Sequence, residues 1–244
     1  MEEGKGLVCV TGGTGFVASW LIMRLLEHGY TVRTTIRSSP EPEEVITKRA
    51  VDGTLGVLRA CVNAKTVKRV VCASSQATVI YSGDGDEKVV DESSWTNIDY
   101  YRSLNRFGTS YLVAKNETER AALDFAEQYG LDLVFLIPPL IVGPFICPRI
   151  PESVRWSLSL IFGEKQLYNL LIKLNVVHTD DVARAYIFLL EFPHAKGSSL
   201  KDIKGFKMRG LSPKKLLDCG FKFEHGLEDM FDGAIQSCKE KGFL

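Results

Sequence analysis

The fold is decided by the stretch LVCVTGGTGFVA, residues 7–18. Its first five residues form a short apolar run typical of a strand, and three small residues follow: Gly12, Gly15 and Ala18. Gly12 permits a tight turn, Gly15 lets the backbone approach a phosphate, and Ala18 lets a helix pack closely on the strand. The N-terminus of that helix offers amide donors to an anion, so the stretch predicts a loop that holds the pyrophosphate of a nicotinamide dinucleotide.

The rest of the chain alternates short apolar runs with segments of helical periodicity. A helix that connects two such runs implies that the two strands pair in parallel. This βαβ alternation predicts an α/β fold with a doubly wound, parallel sheet of the Rossmann type. The expected strands are 7–11, 30–36, 69–73, 133–137 and 175–178, and the expected helices are 16–28, 41–64, 107–129, 153–162, 180–191 and 227–241.

Composition argues against several classes of partner. The chain of 244 residues carries 30 basic and 30 acidic side chains, so no net field attracts nucleic acid or an anionic membrane. The most apolar stretch, 131–146, is interrupted by three prolines and is too short to span a bilayer. The N-terminus lacks the positive and apolar regions of a secretory signal. We therefore expect a cytoplasmic protein with no nucleic acid partner and no membrane span.

No metal is expected from the sequence. The four histidines, His28, His178, His194 and His225, lie far apart along the chain and show no spacing typical of zinc ligands. The six cysteines form no C-x-x-C pair, which suits reduced thiols in a protein core.

Arg37 bears on the choice of cofactor. It follows the second expected strand, where NAD-binding proteins usually carry an acidic residue for the ribose hydroxyls. A guanidinium at this position can instead pair with the 2′-phosphate of NADP. The alternative is an arginine that only faces solvent at the end of a strand. The sequence therefore favours NADP.

Ser75, Tyr111 and Lys115 form a second candidate set. Tyr111 and Lys115 are one helical turn apart and project from the same face, and Ser75 ends the strand that precedes them. In a carbonyl reduction, Tyr111 can give a proton to the carbonyl oxygen, Lys115 can ease the release of that proton, and Ser75 can hold the carbonyl. The alternative is an ordinary amphipathic helix, on which Tyr-x-x-x-Lys is common.

Four motifs extend this pattern along the chain. They are VTGGTGF at 10–16, ASS at 73–75, DES at 91–93 followed by Trp95, and IPPLIVGP at 137–144. Together with the Ser-Tyr-Lys set, they resemble the extended short-chain dehydrogenase/reductase superfamily, and within it the plant dihydroflavonol reductase group. The resemblance covers nearly the whole chain.

The resemblance implies an NADP-dependent oxidoreductase that reduces a ketone on a flavonoid-like plant phenolic. Ser75, Tyr111 and Lys115 match the catalytic positions of the group, and Pro138 and Ile141 match a loop on the nicotinamide side. The positions expected to contact the cofactor are Gly12, Gly13, Thr14, Gly15, Phe16, Val17, Arg37, Lys115, Pro138 and Ile141.

The resemblance also implies two domains. An NADP-binding Rossmann domain would comprise residues 1–144, with 175–192 returning to it. A small substrate-binding cap would comprise 145–174 and 193–244, and variation within the group at this cap decides which phenolic fits.

The chain departs from the group's pattern after its second strand. The group has another strand, a helix and a further central strand there, whereas in this chain Arg37 leads through 38–40 directly into the helix at 41–64. At least one βα unit, roughly 30 residues or more, is therefore absent. If the Ser75 strand takes the vacant place, the catalytic set shifts by about 4.8 Å, although catalysis is sensitive to about 1 Å. If the Ser75 strand stays in its own place, buried backbone groups lose their hydrogen-bond partners, which costs about 1 to 3 kcal/mol for each group.

Three functions remain open at this point. The first is the NADPH-dependent ketone reductase. The second is a shortened relic of the same family that binds a cofactor or a partner without turnover, which the missing unit favours. The third is a sugar-nucleotide epimerase or dehydratase that uses the same catalytic set, which the narrower motifs do not support.

Overall fold

The structure is a computed structural model that describes residues 5–36, 46–80, 89–90, 95–103, 108–168, 175–192 and 210–244. Within these ranges strands and helices alternate. The strands are β1 (Leu7–Thr11), β2 (Thr31–Thr35), β3 (Val70–Ala73), β4 (Val89–Val90), β5 (Leu133–Leu136), β6 (Leu140–Val142), β7 (Val176–His178) and β8 (Gly210–Leu211). The helices are α1 (Phe16–Glu27), α2 (Ile46–Ala64), α3 (Ile98–Ser103), α4 (Thr109–Tyr129), α5 (Glu152–Ser157), α6 (Ser159–Phe162), α7 (Thr179–Glu191), α8 (Lys214–Asp218) and α9 (Leu227–Glu240).

The chain divides into two compact units. The first unit comprises Met1–Ser39, Pro139–Phe188 and Phe221–Leu244, and the second comprises Pro40–Pro138 and Leu189–Gly220. The predicted division into an NADP-binding domain and a substrate cap concerns ligand binding and stays a prediction.

The first unit contains the strand-loop-helix segment with which the chain begins. β1 and β2 pair in parallel, from Leu7 opposite Thr31 to Thr11 opposite Thr35, with α1 between them in the chain. β6 and β7 form another parallel pair in this unit. Its core packs β6 and the loop that follows it against α5 and α9, through Val142, Phe145, Val154, Leu158, Met230, Ala234 and Cys238.

The second unit is built on a parallel pair of β3 and β5 and on the packing of α2 against α4. Leu58 of α2 is fully buried against Ala122 and Phe125 of α4, where it meets Leu133 of β5. Gly130 ends α4 in the left-handed conformation, with φ +64°, because glycine has no Cβ that would clash there. β4 and β8 also pair in parallel.

The predicted fold class is confirmed: the protein is α/β with parallel strands of the Rossmann type. The described strands form four two-stranded sheets rather than one continuous sheet. β1 pairs with β2, and β3 pairs with β5. Parallel strands are ordinarily buried on both faces, yet Leu7 in β1 keeps 56% of its surface exposed.

Several local features differ from the sequence prediction. The short elements β4, β8, α3 and α8 were not expected, and two further differences have a local cause. β6 lies where the sequence predicts no strand, because a three-residue strand between prolines and a glycine is too short to show a period. The helix predicted over 153–162 is divided into α5 and α6, since Leu158 leaves the helical conformation, with φ −95° and ψ 13°. In the part of the chain that the structure describes, no helix is both long and apolar enough to cross a bilayer.

An ion pair at the start of α7 joins it to α1 inside the first unit. The Asp180 carboxylate, 2% exposed, accepts hydrogen bonds from the Trp20 indole at 2.8 Å and from the Arg24 guanidinium, whose Nη2 lies at 2.5 Å. Burial alone would raise the pKa of Asp180, but the hydrogen bonds from Arg24 and Trp20 outweigh it and hold the pKa below its ordinary value. The orientation of α1 therefore depends on an ionised Asp180.

We predict that Asp180→Asn lowers the free energy of unfolding by about 2 kcal/mol at neutral pH, because it leaves the Arg24 charge without its buried partner. A carboxyl group with a lowered pKa stabilises the fold above its unfolded-state pKa and ceases to do so as the pH falls. The difference in the free energy of unfolding between parent and variant should therefore be largest at neutral pH and should shrink below about pH 4. Urea denaturation followed by circular dichroism measures it.

Glu27→Gln is the matched control, because Glu27 pairs with the same Arg24 at 2.9 Å but is half exposed. It should change the free energy of unfolding by less than about 1 kcal/mol. Equal effects of the two substitutions would contradict the account.

Candidate active site

The glycine loop between β1 and α1 is shaped by contacts within the first unit. Gly12 has φ +73°, and its carbonyl accepts a hydrogen bond from the Gly15 amide at 2.8 Å. The Gly13 amide donates to the Thr35 carbonyl at 2.9 Å, and a Cβ on Gly13 would lie 2.2 Å from Thr34 Oγ1. These contacts require glycine at position 12 for its backbone angle and at position 13 for space.

The N-terminus of α1 faces this loop. Gly15 precedes the helix without a side-chain cap, and the first turn carries no acidic residue. The amides of Phe16 and Val17 belong to the first turn, whose N–H groups have no acceptor inside the helix. Thr14 lies in the loop just before them. The arrangement suits an anion such as a pyrophosphate, which would receive these amides and the positive end of the helix dipole.

The other cofactor positions expected from the sequence lie at strand ends. The Pro138 carbonyl, after β5, accepts a hydrogen bond from the Gln76 amide at 3.0 Å. Ile141 is the middle residue of β6 and pairs with Val177 of β7. Arg37 lies outside the residues that the structure describes. The roles of all three toward a cofactor stay predictions.

Ser75 stands just beyond the end of β3, at the start of a single helical turn over Gln76–Thr78. Its Oγ accepts a hydrogen bond from the Ala77 amide at 3.3 Å. The hydroxyl hydrogen of Ser75 stays able to donate, because this bond uses only an oxygen lone pair. A donor at the carboxyl end of a parallel strand is suited to hold a carbonyl oxygen.

Lys115 of α4 reaches the same strand end. Its Nζ donates to the Ala73 carbonyl at 3.0 Å, which places the ammonium group two residues from Ser75 along the chain. The same Nζ lies 5.9 Å from the centre of the Tyr111 ring. Tyr111 is 53% exposed, so its phenol is accessible to a ligand. The structure thus brings Lys115 to the end of β3, with the Tyr111 ring near its ammonium group and with Ser75 two residues beyond Ala73 in the chain.

Glu119, one helical turn beyond Lys115, is a residue of this region that the sequence analysis missed. Its carboxylate is 6% exposed and accepts a hydrogen bond from Ser74 Oγ. Burial raises the pKa of Glu119, against the opposing effect of Ser74 and Lys115. A glutamate inside a helix ordinarily faces solvent, so only its four-residue spacing from Lys115 could have indicated a buried position.

Two of the histidines that lie far apart in the sequence are neighbours in the structure. The rings of His178 and His225 stack with centroids 3.9 Å apart, and both lie beside Asp181 in the first turn of α7. The Asp181 carboxylate accepts hydrogen bonds from the amides of Glu224 at 3.0 Å and His225 at 3.2 Å, and thereby ties the segment before α9 to α7.

This His-Asp cluster is poorly arranged for a metal. The two ring planes are only 12° apart, so the lone pairs of their nitrogens run side by side rather than converge. Asp181 also pairs with Arg184 at 3.0 Å, which already supplies a positive charge. The cluster therefore serves packing, and the expectation that the protein holds no metal stays a prediction.

Comparison with known proteins identifies the family. The sequence pattern of the NAD dependent epimerase/dehydratase family matches residues 8–50 and 34–200. Vestitone reductase of Medicago sativa is 40% identical over an alignment that covers 100% of both chains, and its crystal structure superposes with a TM-score of 0.84 over 98% of this chain and 100% of that one. Dihydroflavonol 4-reductase of Callistephus chinensis is 35% identical over 100% of this chain and 89% of its own length.

A more distant structure agrees on the fold. The yeast methylglyoxal/isovaleraldehyde reductase, solved with NADPH, has a TM-score of 0.74 at 19% identity, over 98% of this chain and 100% of that one. The resemblance to the plant dihydroflavonol reductase group, which the sequence indicates, is confirmed by the identities to vestitone reductase and dihydroflavonol 4-reductase.

The same comparisons show the internal gap. The alignment with vestitone reductase spans 328 residues, so at least 84 of its positions have no counterpart in this chain of 244. The family pattern matches in two pieces that overlap over residues 34–50, around the point where the sequence leads directly from Arg37 into the next helix. The chain therefore belongs to the NAD dependent epimerase/dehydratase family, as an extended short-chain reductase of the plant dihydroflavonol reductase group that lacks an internal segment after its second strand.

Proposed function

We propose that the chain is an NADPH-dependent reductase of a ketone on a flavonoid-like plant phenolic, of the dihydroflavonol or isoflavanone type. The observation that carries the proposal is the group at the end of β3, where Lys115 is fixed on the Ala73 carbonyl beside Tyr111 and close to Ser75. Members of the family with 35–40% identity are named as reductases of vestitone and of dihydroflavonols, which supports the class of substrate. These relatives also support an NADP-dependent oxidoreductase as the class of enzyme. Location of the protein in the cytoplasm stays a prediction.

The side chains divide the work of carbonyl reduction. When bound, NADPH supplies the hydride for the carbonyl carbon. Ser75 donates a hydrogen bond to the carbonyl oxygen, and Tyr111 transfers its phenolic proton to that oxygen as the C=O bond becomes C–OH. The Lys115 ammonium stabilises the phenolate that Tyr111 becomes and can also contact the cofactor. Tyr111 then recovers its proton from solvent, to which it is exposed.

The expected phosphate contacts of the cofactor belong to the first unit. The loop at 12–17 provides backbone amides and a helix N-terminus for the pyrophosphate, and Arg37 provides a positive charge for the 2′-phosphate. Pro138 and Ile141 would contact the nicotinamide side. These assignments rest on the family resemblance and on the loop geometry described above.

A second candidate function is favoured by the internal gap. At least 84 aligned positions are absent, and β1 and β3 belong to different two-stranded sheets. A chain of this kind can keep the glycine loop and bind a cofactor or a partner without aligning a hydride donor with a ketone. Binding of NADPH without turnover of any candidate ketone is the result that would favour this relic.

We predict that Arg37→Ala weakens NADPH binding roughly tenfold and leaves NADH binding unchanged, because only NADPH carries the 2′-phosphate that the guanidinium pairs with. Thermal unfolding with increasing concentrations of each cofactor measures this, since a ligand that binds only the folded state raises the unfolding midpoint. Arg33→Ala, in β2 of the same unit, is the matched control and should leave both responses intact. An unchanged NADPH response in Arg37→Ala would remove Arg37 from the cofactor site.

We predict that Tyr111→Phe lowers the rate of ketone reduction by about 100-fold or more, the usual contribution of a general acid, with NADPH binding retained. Oxidation of NADPH in the presence of dihydroflavonols and isoflavanones, followed by absorbance, measures the rate. Tyr129→Phe removes an equally exposed phenol from the end of the same helix and should leave the rate unchanged. A Tyr111→Phe protein as fast as its parent would exclude the assigned role.

A further inference from the structure

Tyr111, Lys115 and Glu119 form a row on one face of α4, each four residues from the next. Residues at this spacing lie one above another on a helix. The row runs from an exposed phenol, through the half-buried Lys115, to a carboxylate that is 6% exposed. The buried end of the row has no part in the chemistry proposed above.

Glu119 holds the turn that carries Ser75. Its carboxylate accepts a hydrogen bond from the side chain of Ser74, the residue that precedes Ser75. The Ser74 amide donates to the Leu136 carbonyl at 2.8 Å, so the backbone of the turn is also fixed to β5. A change at Glu119 would therefore be felt at Ser75 through the residue next to it.

Glu119 is also the carboxyl group whose negative charge, when ionised, acts on Lys115. Burial lowers the pKa of Lys115, and Glu119 counteracts this effect. Cys72 of β3 lies near the same ammonium group, but burial raises the pKa of its thiol to about 11, so it stays neutral at neutral pH. Glu119 in turn interacts with Lys115 and with Arg120, whose guanidinium lies 4.3 Å from the centre of the Trp95 ring.

We propose that Glu119 is a positioning residue of the reductase site, which keeps Lys115 protonated by its charge and holds Ser74, next to Ser75, by a hydrogen bond. The inference rests on the proposed function for its consequence and on the row of α4 for its geometry. A carboxylate at the buried end of the row compensates the charge that the lysine brings into the protein. Lys115 can then act on the Tyr111 phenol over a wider range of pH.

The direct test is the titration of Lys115 in the full chain. Protein labelled with 13C-lysine is titrated with base, and the 13Cε signal of Lys115 is assigned by its loss in Lys115→Met. Glu119→Gln keeps an oxygen that accepts from Ser74 but removes the charge, so the Lys115 midpoint should move to lower pH. Glu117→Gln removes an exposed carboxylate two residues from Lys115 and should leave the midpoint in place.

A reciprocal measurement keeps the proposal testable if Glu119→Gln does not fold. Two charges that stabilise each other must do so equally, so Lys115→Met should move the titration of Glu119, followed by its 13Cδ signal, to higher pH. The proposal would be overturned if neither the Lys115 midpoint nor the Glu119 midpoint moved. It would also be overturned if the Lys115 midpoint moved equally in Glu119→Gln and Glu117→Gln.

These titrations need no turnover, so they separate this inference from the proposed function. If the parent reduces ketones, Glu119→Gln should also move the alkaline limit of its rate to lower pH, with NADPH binding retained. If the parent reduces no ketone, the proposed function fails while the Lys115 titration still reports whether Glu119 supplies the charge. A Lys115 midpoint that does not move, in an active parent, overturns only the role of Glu119.

Discussion

The pairing of parallel strands is the constraint on which this structure depends. A parallel strand satisfies its backbone amides and carbonyls only with neighbours that a crossover brings beside it. The alignment with vestitone reductase leaves at least 84 positions without a counterpart in this chain. The described strands form four pairs, with β1 and β2 in one and β3 and β5 in another. Leu7 of β1 keeps 56% of its surface exposed.

Both parts of the candidate site survive because each is determined by nearby contacts. The glycine loop depends on Gly12 and Gly15 within the loop and on the Gly13 bond to Thr35, all within the first βαβ segment. The side chains expected to act on the substrate depend on the hydrogen bond from Lys115 to the Ala73 carbonyl and on the pairing of β3 with β5. None of these contacts involves a residue from the missing segment. A shortened chain can therefore keep the local geometry of a cofactor loop and of a proton donor.

The sequence predicted those features that depend on local patterns. Helical periodicity and Gly130 give the limits of α4 to within two residues, and the glycine spacing gives the loop. Features that depend on tertiary contact were not predictable. Glu119 carries no local sign of burial, and the stacking of His178 on His225 joins residues that lie far apart in the sequence. The short β6 strand became recognisable only through its pairing with β7.

The central claim is that this shortened chain still transfers a hydride to a ketone. The most direct measurement uses NADPH that carries deuterium at the transferred position of its nicotinamide ring, with the protein in excess over the cofactor and with dihydroflavonols and isoflavanones as acceptors. Mass spectrometry of the products then shows whether deuterium reaches the carbinol carbon. The account predicts one deuterium in the alcohol for each NADPH oxidised. Bound NADPH that stays unoxidised, with no deuterated alcohol, would contradict it.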